Sequence, residues 1–270
     1  MAVSEPAPIV TLTTDFGLSD HYVGTMKGVI LSRCPKATII DITHDLPAFS
    51  ILAGAYAISQ ASSFFPPETV HVIVVDPGVG TERKAILAQA GDQFFVAPDN
   101  GLLTLILDRN KDAVVREITN RALWLPSPSE TFHGRDLFSP VAAYLASRYV
   151  EAEDVGPVLD HPQRFRDLSP RQTRPGIWEG VVLSTDHFGN LITNFLPHML
   201  GSNFVVDVNR HKITKLHRTF GEATPGILFV YHGSSGYVEV GINQESAAKA
   251  LGIAPGDRIT LFSSEALQSW

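Results

Sequence analysis

The sequence predicts an α/β chain of two domains: an N-terminal α/β domain with a mainly parallel sheet, then a small C-terminal all-β domain. Three observations carry that reading. Residues 9–75 alternate short β-branched runs with helical segments, and such alternation builds a parallel sheet with helices on its faces. From Tyr149 to Pro175 the composition turns to Pro, Asp and Arg with little periodicity, as in a linker. Beyond it every periodic run is short and strand-like with Gly-containing turns, the pattern of a small barrel or sandwich. The expected domains are residues 1–170 and 171–270.

Ile9 to Thr14 reads as the first strand and ends at Asp15-Phe16-Gly17. A helix from about His21 to Ser32 follows, with Val23, Met26, Lys27 and Ile30 at helical spacing, and Pro35 closes it. Thr38 to Ile42 is the second strand. A second helix spans about Ser50 to Phe64, points Leu52, Ala55, Tyr56 and Ile58 inward, and is stopped by Pro66-Pro67. Its Phe and Tyr residues over 49–65 are expected in the core. Val70 to Val75 is a buried third strand, ending abruptly at Asp76-Pro77-Gly78-Val79-Gly80. Two strands flank the turn Gly91-Asp92, over 85–90 and 93–97. Pro98 to Leu103 is a turn opening a helix to about Leu107. Val114 to Ile118 is a further strand, and a helix from about Leu137 to Ser147 carries Pro140 in its first turn, where a missing N–H costs least. The later strands are expected over 176–184, 191–194, 204–208, 212–216, 227–231, 237–242 and 258–262.

The bulk numbers exclude several classes. With 270 residues, 44% hydrophobic and 18% charged, the chain is an ordinary globular protein able to bury a sizeable core. A net charge of −7 and a pI near 5.8 argue against a general nucleic-acid binder. One cysteine, Cys34, excludes an intrachain disulfide and a cysteine-based zinc site, which suits a reducing compartment. The N-terminus lacks a basic region followed by an apolar one, and no apolar run approaches the roughly 20 residues of a membrane helix. These features predict a soluble cytoplasmic protein with neither a nucleic-acid nor a membrane partner.

Asp76 stands just past a strand's carboxyl end, where α/β sheets place ligand-binding groups. Gly78 and Gly80 permit a tight loop that returns Arg83 toward it. From the residues alone, Asp76 reads either as a site carboxylate or as half of a structural ion pair with Arg83. Asp15 and nearby Asp20 repeat the strand-then-carboxylate pattern, and His133 lies in a Gly-Arg-Asp context. Asp186-His187-Phe188-Gly189-Asn190-Leu191-Ile192-Thr193-Asn194 and Tyr231-His232-Gly233-Ser234-Ser235-Gly236-Tyr237 read equally as hairpin turns or ligand loops. Asp99-Asn100-Gly101 reads as a helix-entry turn, and His44, His71, His187 and His232 as surface or core histidines. No dinucleotide fingerprint, P-loop or nucleophile elbow occurs. No two of the ten histidines have His-x-x-x-His spacing, so a metal site is the weaker class and none is expected.

Five motifs in order, Thr13-Thr14-Asp15-Phe16-Gly17, Asp76-Pro77-Gly78-Val79-Gly80, Ala97-Pro98-Asp99-Asn100-Gly101-Leu102, Phe132-His133-Gly134-Arg135-Asp136 and Asp186-His187-Phe188-Gly189-Asn190, resemble the S-adenosylmethionine hydroxide adenosyltransferases. These are relatives of the fluorinase and chlorinase, and the resemblance runs from about residue 9 to 263. It implies a C-terminal β-barrel and a homotrimer with sites between the N-terminal domain of one subunit and the C-terminal domain of the next. The implied reaction is hydrolysis of S-adenosylmethionine to adenosine and L-methionine, the molecule being substrate and no cofactor being needed. Asp76, Arg83 and His133 match the family's catalytic set, with Asp76 or His133 taking the water proton. Asp15 matches the ribose carboxylate, Asp20 and Asp186 those near the methionine ammonium with Ser234 beside them, Asn190 the adenine-reading amide, and Phe188 a residue packing on the ring. Halogenating relatives carry tyrosine where Asp76 stands, and the fluorinase carries serine at Gly134, arginine at Ser235 and tryptophan at Ile192. Asp76 would repel a halide. A non-catalytic adenosine- or S-adenosylmethionine-binding protein is the alternative from another class, and a halogenase is the third.

Overall fold

A computed structural model describes residues 6–166 and 168–267. The chain divides into two compact units, Met1–Arg164 and Phe165–Trp270.

In the first unit β1 (Ile9–Thr14), α1 (Tyr22–Arg33), β2 (Thr38–Thr43), α2 (Ile51–Ala61) and β3 (Val70–Val74) alternate as the periodicity requires. β4 (Ala85–Ala90), β5 (Gln93–Pro98), α3 (Thr104–Arg109), β6 (Val114–Glu117) and α4 (Ser139–Ala146) complete it. The sheet order is β2-β1-β3-β5-β4-β6, parallel from β2 to β5 and antiparallel over β4 and β6. Strand alternation sorts side chains to two faces. Val70, Val72 and Val74 pack with Val23, Met26 and Ile30 of α1 and Val141 and Leu145 of α4. Ile73 and Val75 pack with Ile58 of α2 and Ile106 and Leu107 of α3. Both faces are therefore covered, which explains the continuous apolar run of β3. Each such side chain contributes about 1.5–3 kcal/mol on burial.

His71 projects from β3 among Phe65 and Phe95, with Nδ1 2.7 Å from Thr11 Oγ1 on β1. Burial disfavours its imidazolium and pushes its pKa down to about 4. A histidine with a lowered folded pKa binds its proton more readily when unfolded. Stability should therefore fall as pH drops from about 6.5 to about 4, by about 3 kcal/mol from this residue. Urea titrations of the protein and its His71→Leu variant test this: the variant should show a flatter slope across that window, and an equal slope would contradict the assignment.

The second unit contains β7 (Arg171–Arg174), β8 (Ile177–Thr185), β9 (Leu191–Thr193), β10 (Phe204–Val208), β11 (His211–Ile213), β12 (Leu228–His232), β13 (Val238–Ile242), the short helix α5 (Ala247–Leu251) and β14 (Arg258–Ser263). The order β11-β10-β14-β8-β9-β13-β12 is antiparallel throughout, with β7 added on β8. A parallel bridge between Leu216 and Val230 brings the chain after β11 against β12, so the sheet nearly closes into a barrel. Val182, Val206, Val230, Val240 and Leu261 fill its interior.

Some details differ from the sequence reading. The stretch from Tyr149 to Pro175 holds a 3₁₀ turn, Ala152–Val155, and strand β7. Its residues 157–159 also bond to β6, through Glu117 N to Pro157 O and Leu159 N to Val115 O. Backbone pairing of this kind leaves no apolar period to read. The strand expected over 212–216 is shorter and begins earlier, because Asn209 and Arg210 adopt φ of 47° and 67° and make the two-residue turn of a tight hairpin. Phe49 and Phe64, expected inside, are 72% and 89% exposed. They lie beyond the two ends of α2, where the helical repeat no longer dictates direction.

Candidate active site

β1 and β3 lie side by side and in register, Thr14 beside Val74, so Asp15 and Asp76 follow at the same carboxyl edge of the sheet. The end of β3 is held by Asn100, whose side-chain amide donates to Val75 O at 2.9 Å. The turn over 99–101, whose composition predicts only a helix entry, thus fixes the peptide before Asp76. Its neighbour Asp99 is buried and accepts from Gln163 N at 2.7 Å. Burial raises the Asp99 pKa.

From Asp76 the loop turns through Gly80, at φ 77°, where a Cβ would overlap the carbonyl oxygen of Glu130. Only glycine permits that approach. It sets the loop carrying Arg83 against the segment leading to His133. Arg83 Nε lies 3.0 Å from both Asp76 oxygens and Nη2 lies 2.5 Å from Oδ2. The same Nη2 reaches His133 Nδ1 at 2.7 Å. Asp76 and Arg83 side chains are only 5% and 10% exposed, so the pair sits largely out of water. The Phe138 ring faces the guanidinium, 5.5 Å away.

This geometry assigns the histidine's tautomer. A guanidinium only donates, so Nδ1 must accept and the ring proton resides on Nε2. Burial, reinforced by the Arg83 charge, lowers the His133 pKa against the opposing pull of Asp76 and Asp136. The neutral ring therefore persists below the ordinary histidine value of about 6.5. Protonation would set an N–H on Nδ1 against Arg83 and open the set. Any activity that needs the closed set should decline on the acid side with a midpoint below about 6.5. A rate–pH profile of the protein tests this, and a midpoint above neutrality would contradict it.

His133 precedes the π-type turn Gly134–Phe138 that leads into α4. Asp136 is fully buried and accepts from Arg135 Nε at 2.6 Å and Ser129 N at 2.7 Å. That carboxylate holds the loop. At Gly134 a Cβ would meet Met26 Sδ at 3.2 Å and a Phe132 ring carbon at 3.3 Å, so a serine there would require Met26 to move.

Asp15 lies at the end of β1 and accepts from Phe49 N at 2.8 Å. Asp20 is exposed on the loop before α1. The structure gives neither a bond to the Asp76–Arg83–His133 set. The other predicted residues, Asp186, Phe188, Asn190 and Ser234, line one cavity of about 860 Å³ within the second unit. That volume lies within the range of about 300–1,000 Å³ usual for small-molecule sites. Asp186 Oδ1 accepts from the backbone N–H of Phe188 and Asn190, at 3.0 and 2.8 Å, and Oδ2 from Asn190 Nδ2 at 2.7 Å. The turn is thereby built by Asp186, while Asn190 Oδ1 is buried without a partner among the described residues. Phe188 is 75% exposed beside the cavity and offers an open ring face.

The same cavity is lined by Tyr231, from the stretch expected as a turn or ligand loop, and by Arg218 and Glu239, which no sequence motif singles out. Glu239 is buried and holds Tyr231 OH at 2.5 Å and Ser235 Oγ at 3.3 Å. A lone Glu inside the apolar run of β13 was the available signal, since a charged residue is rarely buried without a partner.

Among the described residues no group of three His, Cys, Asp or Glu could hold a metal ion, and no helix is long and apolar enough to cross a membrane. The fold and its groups define an α/β protein with an appended β-barrel, bearing a buried, hydrogen-bonded Asp–Arg–His set on one unit and a cavity on the other. The chain belongs to the SAM hydroxide adenosyltransferase family. The N-terminal domain of that family matches residues 10–156 and its C-terminal domain residues 180–260. It is 41% identical to an (R)-S-adenosyl-L-methionine hydrolase of Salinispora tropica, covering 94% of this chain and 97% of that protein. A protein of the same name from Thermus thermophilus is 39% identical, covering 94% and 99%. A fluorinase of Actinopolyspora mzabensis is 27% identical, covering 95% and 97%. Among solved structures, an uncharacterized conserved protein from Thermotoga maritima superposes with a TM-score of 0.84 at 39% identity, covering 94% of this chain and 99% of that one.

Proposed function

We propose that this chain hydrolyses S-adenosyl-L-methionine to adenosine and L-methionine by attack of water on ribose C5′. The observation that carries the reading is the closed Asp76–Arg83–His133 set in a chain about 40% identical to proteins named (R)-S-adenosyl-L-methionine hydrolase. The sulfonium already makes methionine a neutral thioether leaving group, so the reaction needs no general acid and, in this reading, no cofactor. The protein must position and activate an oxygen nucleophile in line with the C5′–S bond. Arg83 already donates three contacts to Asp76, two of them to Oδ2, which leaves acceptor capacity on Oδ1 for a water proton. His133 Nδ1 is occupied by Arg83 and its Nε2–H donates, so it orients the water oxygen. Asp76 is the proton acceptor in this scheme, and Arg83 stabilises the developing hydroxide.

Asp186, Phe188, Asn190 and Ser234 bind the nucleoside and amino-acid parts of the substrate, and Asp15 and Asp20 contribute to ribose and ammonium binding. The chain forms a homotrimer in which the catalytic set of one subunit and the cavity of the next serve one substrate, as the family resemblance implies. It works in the cytoplasm, in keeping with its single, buried cysteine thiol. Size-exclusion chromatography with light scattering should return three times the 29.4 kDa chain mass. Incubation with S-adenosyl-L-methionine should release equal amounts of adenosine and methionine by chromatography. Tight adenosine binding with no release would favour the non-catalytic reading instead. Halide-dependent formation of 5′-halo-5′-deoxyadenosine would favour a halogenase, which the Asp76 charge and the crowding at Gly134 oppose.

A further inference from the structure

The cavity of the second unit is strongly asymmetric in charge. Asp186, Glu239 and Glu245 line it, and among its described lining residues Arg218 is the only cation. Glu239 is buried beneath the loop over 233–236: it accepts from Tyr231 and Ser235, and a Cβ on Gly233 would overlap its carboxylate. Ser235 is thereby committed to Glu239, and this wall repels an anionic ligand group while favouring a cationic one. Burial, with the Asp186 charge adding to it, raises the Glu239 pKa. An approaching cation would favour the ionised form.

Arg218 reaches the same cavity from the other side of β12. His217 N donates to Val230 O and Val230 N to Lys215 O, so residues 215–217 run parallel to β12 toward that loop. Arg218 continues in this direction. Its backbone N–H is fixed by Glu222 at 2.9 Å, and Phe220 turns back to pack on Phe229 and Tyr231. The guanidinium has no hydrogen-bond or ion-pair partner among the described residues.

We propose that Arg218 binds the α-carboxylate of the substrate's amino-acid tail, while the carboxylate-lined wall takes the α-ammonium. This rests on the reading of S-adenosyl-L-methionine as substrate. A zwitterionic tail presents both charges on one carbon. A cavity lined by one unpaired cation and three carboxylates offers a partner to each of those charges. A guanidinium can grip a carboxylate through two parallel hydrogen bonds, which an ammonium cannot imitate.

The test compares S-adenosyl-L-methionine with its decarboxylated analogue, which keeps the sulfonium and a terminal ammonium. Arg218→Gln should raise KM for S-adenosyl-L-methionine about 10- to 100-fold with kcat nearly unchanged. It should leave KM for the decarboxylated compound within about twofold, and Arg218→Lys should retain part of the discrimination. Equal losses on both substrates, or no loss on either, would overturn the assignment of Arg218 alone. Absence of adenosine release from S-adenosyl-L-methionine by the unsubstituted protein would overturn the hydrolase reading and this inference with it.

Discussion

Replacing Asp76 by alanine should lower adenosine release from S-adenosyl-L-methionine by about 100- to 10,000-fold while changing KM only a few-fold. The expectation follows from where the carboxylate stands. It is at the end of β3, 5% exposed, and it is the acceptor of the set after Arg83 has filled His133 Nδ1. Losing it removes an interaction that matters as the water gives up its proton, which affects kcat more than binding. The variant also strands the Arg83 guanidinium, itself 10% exposed, and removing one partner of a buried pair costs about 3–5 kcal/mol. Thermal unfolding followed beside kinetics separates the two effects. Asp76→Asn keeps the volume and one acceptor, so it should recover part of the stability and little of the rate. Unchanged turnover in either variant would remove Asp76 from the mechanism.

The second large effect is expected at Arg83. One nitrogen, Nη2, serves both Asp76 and His133, so Arg83→Ala should release both partners at once. Turnover should fall about 100- to 1,000-fold. The Asp76→Ala/Arg83→Ala double variant should be about as slow as the slower single variant, because groups acting as one unit are not additive. A double-mutant cycle reads this directly. Losses that multiply would show that the two residues act independently and that their ion pair is structural. That was the alternative the spacing alone left open.

Much of the first unit was legible because both faces of its sheet are covered. A run such as Val70 to Val75 can only be a buried strand when it is short, β-branched and followed by Pro and Gly. The site was legible in part for the same reason, since strand ends at Asp15 and Asp76 are where polar residues interrupt apolar runs. Arg83 and His133, however, meet across a sequence separation of 50 residues. No local period records that meeting. It depends on Gly80 lying against Glu130, and a glycine in a loop looks the same whether it turns freely or is crowded. The roles of Asn100 and Glu239 were hidden differently. Asn100 sits in a turn that its composition explains fully, while its side chain spans to Val75 O. Glu239 breaks an apolar strand, but its Tyr231 and Ser235 partners become neighbours only when β12 and β13 pair. Exposed Phe49 marks the reverse error, in which an aromatic residue at helical spacing belongs to the turn before the helix.

The claim that water attacks ribose C5′ is tested most directly by one turnover experiment in water enriched in heavy oxygen. The protein is incubated with S-adenosyl-L-methionine and both products are analysed by mass spectrometry. The account predicts that adenosine carries one heavy oxygen at its 5′-hydroxyl and that methionine carries none. Unlabelled adenosine, or label in methionine, would contradict it.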